Sequence, residues 1–347
     1  MPFRALIVKL AAVGDVAMAL PMITALQAKH PDCRITWLCG ESAQPLLACV
    51  SGIDRLVVAN ERALLAGSRR DQTAETLRVW ARLGVGRFDL VLTAHADPRY
   101  RRLTLLARAA CRRSLADARP RAGMIAGRYH GDEYVRMVTE LDDHRAESFT
   151  VPPLEAQLSP HVRAALLTGN PDRRPLVALA PGGARNAMRE TPLRRWPLAN
   201  YAALASLLAQ RGYATVVTGS ETDSWARDAL RARGSIDLIG RTSLPDLIAL
   251  FRECLAVVAH DSGPLHLARL AGAPRVALFG PTSPGSFVGD KARLVVLWPG
   301  SSLPCAPCYD GREFAACDNN LCMQRISSEA ALQAVIDLAA TRAAATA

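Results

Sequence analysis

An apolar run from Leu255 to Ala259 ends in His260, and Asp261, Ser262, Gly263, Pro264, Leu265 and His266 then lead into Leu267, Ala268 and Leu270. This is the pattern of a strand that stops at a small-residue turn where a helix begins. The first backbone N–H groups of a helix have no partner within it, and the aligned peptide dipoles place partial positive charge there, so such a turn suits a phosphate. Ser262 and Gly263 are small enough to let an anion approach the amides, and His266 in the first turn can add a donor. Asp and Ser are also ordinary capping residues, so the turn alone leaves both uses open.

Three further turns carry reactive groups. Ala11, Ala12, Val13, Gly14 and Asp15 follow an early apolar run. Asp15 there either caps a helix or offers a carboxylate as a general base that takes the proton of an attacking hydroxyl. The glycine spacing is not that of a dinucleotide fingerprint. Pro181, Gly182, Gly183, Ala184 and Arg185 follow the run ending at Ala180, with Arg189, Arg194, Arg195, Trp196 and Pro197 behind them. Glycines after a strand allow close backbone approach to a ligand, and Arg194 or Arg195 can fork onto a diphosphate; a solvated basic loop is the alternative. Gly219, Ser220 and Glu221 form the last turn, where the glutamate can accept from ribose hydroxyls or simply open a helix. No two aspartates stand one residue apart, so the usual Asp-x-Asp divalent-metal diphosphate site is missing. Cationic side chains and helix amides would then neutralise a leaving diphosphate without a metal cofactor.

Cys305, Cys308, Cys317 and Cys322 have the spacing C-x2-C, eight residues, C, four residues, C. Four thiolates so gathered can hold a structural zinc or iron, and free thiols in a loop are the alternative. Cys33, Cys39, Cys49, Cys111 and Cys254 lie in apolar contexts and are expected in the core.

The elements that must position these turns alternate in type. Arg4 to Leu10 reads as a strand, Val16 to Lys29 as helical, and Ile35 to Leu38, Leu56 to Val58 and Leu90 to Ala94 as strands. The alternation dissolves between Thr150 and Pro175, which hold five prolines, and then restarts. Leu176 to Ala180, Ala214 to Thr218, Leu255 to Ala259 and Val276 to Phe279 read as strands, Leu198 to Gln210 and Leu244 to Arg252 as helices. Strands alternating with helices predict an α/β chain with parallel sheets covered on both faces. The expected layout is two doubly wound, Rossmann-like domains, over 1–155 and 176–327, joined by a linker over 156–175 and facing each other across a cleft. The turns then lie at the C-terminal ends of strands, where such sheets collect ligands. A last helix within 328–347 is expected to return to the first domain.

The chain of 347 residues has a formal charge of +10, and only Lys9, Lys29 and Lys291 of its 42 basic residues are lysines. Arginine pairs occur at Arg69 and Arg70, Arg101 and Arg102, Arg112 and Arg113, and Arg119 and Arg121. Such a surface attracts anionic lipid headgroups or nucleic acid, so peripheral contact with a membrane is one expectation. Aromatics make up only 5% and no nucleic-acid module is present, which argues against nucleic acid as a partner. Half the residues are hydrophobic, excluding wholesale disorder, yet no apolar stretch reaches the ~20 residues of a membrane span. Gly14 and Asp15 interrupt the opening apolar run too early for a signal peptide, so a cytoplasmic protein is expected.

Together these residues resemble the heptosyltransferases of glycosyltransferase family 9. The likeness is carried by Lys9, Gly14, Asp15 and Pro21, by Pro181 and Gly182, by Arg194, Arg195, Trp196 and Pro197, by Gly219 and Glu221, and above all by Asp261, Ser262, Gly263 and His266. It implies a GT-B architecture, an ADP-activated heptose donor on the second domain, and inverting transfer to a lipid-linked lipopolysaccharide core acceptor on the first. Asp15 is similar to the family's proposed general base. Asp261, Ser262, Gly263 and His266 are similar to its donor diphosphate site, Glu221 to its ribose contact and Leu244 to part of its adenine pocket. Arginine stands at 194 where the family often has lysine, and Ala11 and Ala12 replace hydroxyl residues. The Cys-rich tail resembles that of protein-modifying members whose cysteines bind iron, which keeps a protein acceptor open. A GT-B nucleotide-sugar epimerase and an inactive scaffold are the other readings.

Overall fold

The computed structural model describes residues 1–115, 128–140, 145, 148–185, 189–311 and 313–346, so Arg119 and Arg121 lie outside the described residues. The chain divides into two compact units, Met1–Glu155 with Asn186–Arg189, and Ala156–Arg185 with Glu190–Ala347.

The first unit runs β1 (Arg4–Val8), α1 (Val13–Ala19), α2 (Pro21–Lys29), β2 (Arg34–Gly40), α3 (Gln44–Leu47), β3 (Arg55–Ala59), α4 (Glu61–Ala66), α5 (Arg69–Leu83), β4 (Arg87–Thr93), β5 (Arg108–Ser114) and α6 (His130–Thr139). Its sheet has the order β3-β2-β1-β4-β5 with every pair parallel. Because helices cover both faces, the central strand is an unbroken apolar run, and Ala5 to Val8 are wholly buried. Pro21 at the first turn of α2 splits the expected single helix in two, since proline is tolerated only where its missing N–H is not needed.

β5 escapes a hydrophobicity reading, because its sequence RAACRRS is that of an edge strand whose arginines serve neighbouring backbone carbonyls. Arg113 donates to the carbonyls of Met137 and Val138 in the last turn of α6, where a cation complements the helix dipole. Cys111 on this edge is exposed, unlike the core position expected for it.

The second unit runs α7 (Pro160–Gly169), β6 (Leu176–Ala180), α8 (Leu198–Gln210), β7 (Ala214–Val217), α9 (Arg227–Arg231), β8 (Ile236–Asp237), α10 (Leu244–Glu253), β9 (Ala256–His260), α11 (Gly263–Leu270), β10 (Arg275–Leu278), α12 (Pro284–Phe287), β11 (Leu294–Leu297), α13 (Leu321–Gln324) and α14 (Ser328–Thr346). Its six strands are ordered β11-β10-β9-β6-β7-β8, again all parallel.

Two expectations about the domain layout are corrected. The segment 156–175 is not a bare linker: α7 occupies its middle, with Pro160 at the helix start, and its capping region is tied to the second unit by Ser159 N–H donating to Asp246 Oδ1 at 2.7 Å. The last helix, expected at the first domain, belongs to the second unit's core. Its Ala331, Leu332, Ala334, Val335 and Leu338 pack with Leu204, Leu208 and Val276 there. Each buried Leu or Val is worth roughly 1.5–3 kcal/mol, which fixes this helix where its apolar stripe is covered.

Candidate functional site

In the second unit, β9 carries the chain into the turn singled out from the sequence. Ser262, not Asp261, is the N-cap of α11, and its side chain makes no capping bond; its hydroxyl donates to His260 O at 3.1 Å. The carboxylate of Asp261, only 2% exposed, is turned to other work. Its Oδ2 accepts from the Thr282 hydroxyl at 2.9 Å and from Arg194 Nη1 at 3.5 Å, and its Oδ1 lies 4.0 Å from His266 Nε2. Gly263 begins the helix with open space where a Cβ would stand.

The glycine turn after β6 lies against this one. Gly183 has φ +85°, and a Cβ on it would come 3.1 Å from Ser262 Cβ. Gly182 is fixed by contact: an added Cβ would lie 2.2 Å from Asp223 Cγ. Asp223 is buried and accepts from Gly183 N–H at 3.2 Å, Ser220 N–H at 2.8 Å and Ser220 Oγ at 2.7 Å. One carboxylate thus ties the Gly182–Gly183 turn to the Gly219–Ser220 turn, and sequence reasoning did not single it out.

The two arginines have separate duties. Arg195 is committed to the loop itself, donating to Gly183 O at 2.9 Å and Glu190 Oε1 at 2.6 Å while lying over the Trp225 ring at 5.4 Å. Arg194 donates through Nε to Thr191 Oγ1 at 3.0 Å and turns Nη1 toward Asp261, so it is the guanidinium of the pair that faces the turn. Glu221 is 3.5 Å from Arg227 Nη2 with its side chain 74% exposed, and its carboxylate lies over Gly240. Leu244 is the half-buried first residue of α10, whose N-terminus is closed by a Ser243–Asp246 capping box.

Beneath the turn, His260 is wholly buried. Tyr201 Oη donates to Ala180 O at 3.1 Å and meets His260 Nδ1 at 3.5 Å. Burial, with the nearby Arg194 and Arg195 charges, pushes the imidazole down to about 3. A group whose folded value lies below its unfolded one contributes stability above the unfolded value, near 6.5, and loses it as pH falls. Between pH 7 and 5, wild type should lose about 2 kcal/mol more of urea-unfolding stability than His260→Asn. Equal losses would show that His260 takes up its proton without penalty.

In the first unit, Asp15 sits in the first turn of α1, where the N-cap is Ala12. Lys9, at the end of β1 and 4% exposed, places Nζ 3.3 Å from Asp15 Oδ2 and 5.0 Å from the Tyr134 ring centroid. Burial lowers the Lys9 pKa, and the Asp15 carboxylate opposes that shift. Leu10 N–H donates to His95 Nε2 at 3.0 Å, so that nitrogen is unprotonated, and the ring stacks on Tyr100 at 3.7 Å. Burial holds His95 and His130 below the ordinary histidine range and Tyr134 above the tyrosine range, the last with help from the Asp15 charge. His95 and Tyr100 follow β4 within five residues of each other, and His130 and Tyr134 stand one turn apart on α6; sequence reasoning singled out neither pair.

The four tail cysteines are free thiols in the structure. Among the described residues no group of three or more His, Cys, Asp or Glu is arranged to hold a metal ion. Cys322 is buried and donates to Asn320 Oδ1 at 3.4 Å, Cys317 Sγ accepts from Asn320 N–H at 3.3 Å, and burial raises the Cys308 and Cys322 thiols.

Lipooligosaccharide heptosyltransferase 2 of Haemophilus influenzae is 35% identical over 136 residues, covering 37% of this chain and 38% of that protein, so this match spans well under half of that relative. Lipopolysaccharide heptosyltransferase 1 of Pseudomonas aeruginosa is 26% identical over 319 residues, 88% of this chain and 86% of that one. Among solved structures, the E. coli ADP-heptose LPS heptosyltransferase II superposes with a TM-score of 0.72 at 20% identity, covering 98% of this chain and 99% of that one. The twin parallel-sheet domains are those of the GT-B fold. The family model for glycosyltransferase family 9 (heptosyltransferase) matches residues 76–315, most of the chain, including the turns at Gly182, Gly219 and Asp261, and the protein belongs to that family.

Proposed function

We propose that this protein is an inverting, metal-independent glycosyltransferase that moves a heptose from ADP-heptose to a hydroxyl of a lipid-linked lipopolysaccharide core acceptor in the cytoplasm. The observation that carries the reading is the Asp261–His266 turn. A buried carboxylate held by Thr282 and Arg194 stands at the N-terminus of α11, beside His266 and against the Gly182–Gly183 backbone. Helix amides and Arg194 there supply the positive charge that a departing nucleoside diphosphate needs, and His266 can add an N–H donor. Glu221 would accept from the ribose hydroxyls, and Leu244 would line the base pocket.

On the first domain, the acceptor hydroxyl would give its proton to Asp15 as its oxygen attacks the anomeric carbon. The C–O bond to the diphosphate breaks as the new glycosidic bond forms, and a single displacement of this kind inverts the anomeric centre. Lys9 favours the ionised form of Asp15 beside it. The likeness to the H. influenzae and E. coli enzymes supports ADP-heptose and a core saccharide over other donors and acceptors.

Incubation of the protein with ADP-heptose and a heptose-free core acceptor, in the presence of a chelator, should yield an acceptor heavier by one heptose together with ADP. Conversion of ADP-heptose to a free isomerised sugar without acceptor would overturn the assignment. His266→Ala should weaken ADP binding about tenfold, the worth of one charge-assisted hydrogen bond. Unchanged binding in calorimetry would remove His266 from the site.

A further inference from the structure

Three of the most exposed large hydrophobic side chains of the described residues lie close together in the first domain: Leu77 (54% exposed), Leu105 (62%) and Leu106 (52%). Leu77 is on α5, and the two others follow the 3-10 turn Pro98–Thr104. Trp80 on α5 donates its indole N–H to Arg102 O at 2.8 Å, latching helix and turn side by side. Between them runs an open groove of about 540 Å³ lined by Leu77, Trp80 and Leu105 together with Arg69, Arg99 and Arg102.

The charged side chains that line this apolar surface are all arginines. No acidic side chain is among the described lining residues, and Arg69 and Arg102 are exposed and make no ion pair among the described residues, whereas Arg99 is paired with Asp97 at 2.7 Å. Exposed leucines beside exposed arginines suit the boundary of an anionic bilayer, where apolar groups leave water and guanidinium groups meet phosphate. A second copy of the chain would bring the same arginines face to face and be repelled. We infer that this groove docks the protein on an anionic membrane surface, with Leu77 and Leu105 entering the headgroup region and Arg69 and Arg102 meeting lipid phosphates.

Docking of this kind needs neither donor nor acceptor, so it stands or falls apart from the transfer reaction. The full chain should sediment with vesicles made of equal parts phosphatidylcholine and phosphatidylglycerol, and not with phosphatidylcholine alone. Arg69→Gln with Arg102→Gln should lower the partition coefficient about twenty-five-fold, at roughly fivefold per arginine. Leu77→Ser with Leu105→Ser should lower it about tenfold or more. The control pair Arg173→Gln and Arg174→Gln, exposed on the second domain, should leave it within twofold, about the scatter expected for charges away from the contact. Equal binding to both vesicle types, or an equal loss in the control pair, would overturn the inference. So would a concentration-dependent dimer that the leucine changes abolish, since that would make a second copy the occupant.

Discussion

Asp15→Asn should lower the turnover of the purified protein about a thousandfold, within the range expected when a general base is removed, while the affinity for ADP-heptose stays within about twofold. The amide is the size of the carboxylate and its oxygen still accepts a hydrogen bond from Lys9 Nζ, which lies 3.3 Å from Asp15 Oδ2 in the wild type. What it lacks is a basic oxygen for the acceptor's proton. Separating kcat from donor affinity matters, because a loss in donor binding would point to a role other than proton transfer. Removing the carboxylate leaves the buried Lys9 without an ionic partner, so the variant's unfolding midpoint must be measured beside its rate. A folded Asp15→Asn protein retaining a tenth of its turnover, about 1.4 kcal/mol of lost transition-state stabilisation, would mean that another group takes the proton.

The parts of this protein that could be read from sequence are those whose determinants are local. β1, β6 and β9 are buried on both faces and therefore appear as short apolar runs; α8 and α10 are bounded by residues that start or stop helices. The turns at Gly182, Gly219 and Asp261 follow such strands directly. By contrast, β5 is held by backbone pairing to β4 and by arginines that serve distant carbonyls, and neither leaves a hydrophobic pattern. Pro160 looked like linker punctuation because the proline of a helix start and the proline of a loop are the same letter; the difference lies in whether a covered face follows. Only the local half of the Asp223 anchoring has a sequence pattern, the Ser220–Asp223 capping box; its contact with Gly183 spans 40 residues. His95 likewise accepts from Leu10 N–H across 85 positions. The candidate site residues thus sit on local turns, but some of the groups that hold those turns in shape are supplied from elsewhere in the fold.

That distinction can be tested where it bears hardest on the donor site. In Gly182→Ala the new methyl would fall 2.2 Å from Asp223 Cγ and 2.4 Å from its Oδ2, well inside van der Waals contact. The carboxylate cannot simply swing aside, because Gly183 N–H, Ser220 N–H and Ser220 Oγ all hold it. The loop has to move instead, and with it the Gly183 backbone that rests against Ser262. Overpacking at a fixed site costs about 1–3 kcal/mol, and a shift of about 1 Å in a positioning loop can cost a hundredfold in rate. Gly182→Ala should therefore weaken ADP-heptose binding and lower kcat/KM by about two orders of magnitude. Asp223→Ala alone should also be damaging, because it orphans the donors that the carboxylate satisfies, at about 1–3 kcal/mol. The two changes should not add: removing the carboxylate clears the space the methyl needs, so the double variant should be no worse than Asp223→Ala within about 0.5 kcal/mol. Strict additivity in a double-mutant cycle, read in both unfolding free energy and donor affinity, would show that the tie between Asp223 and the glycine turn does not shape the donor site.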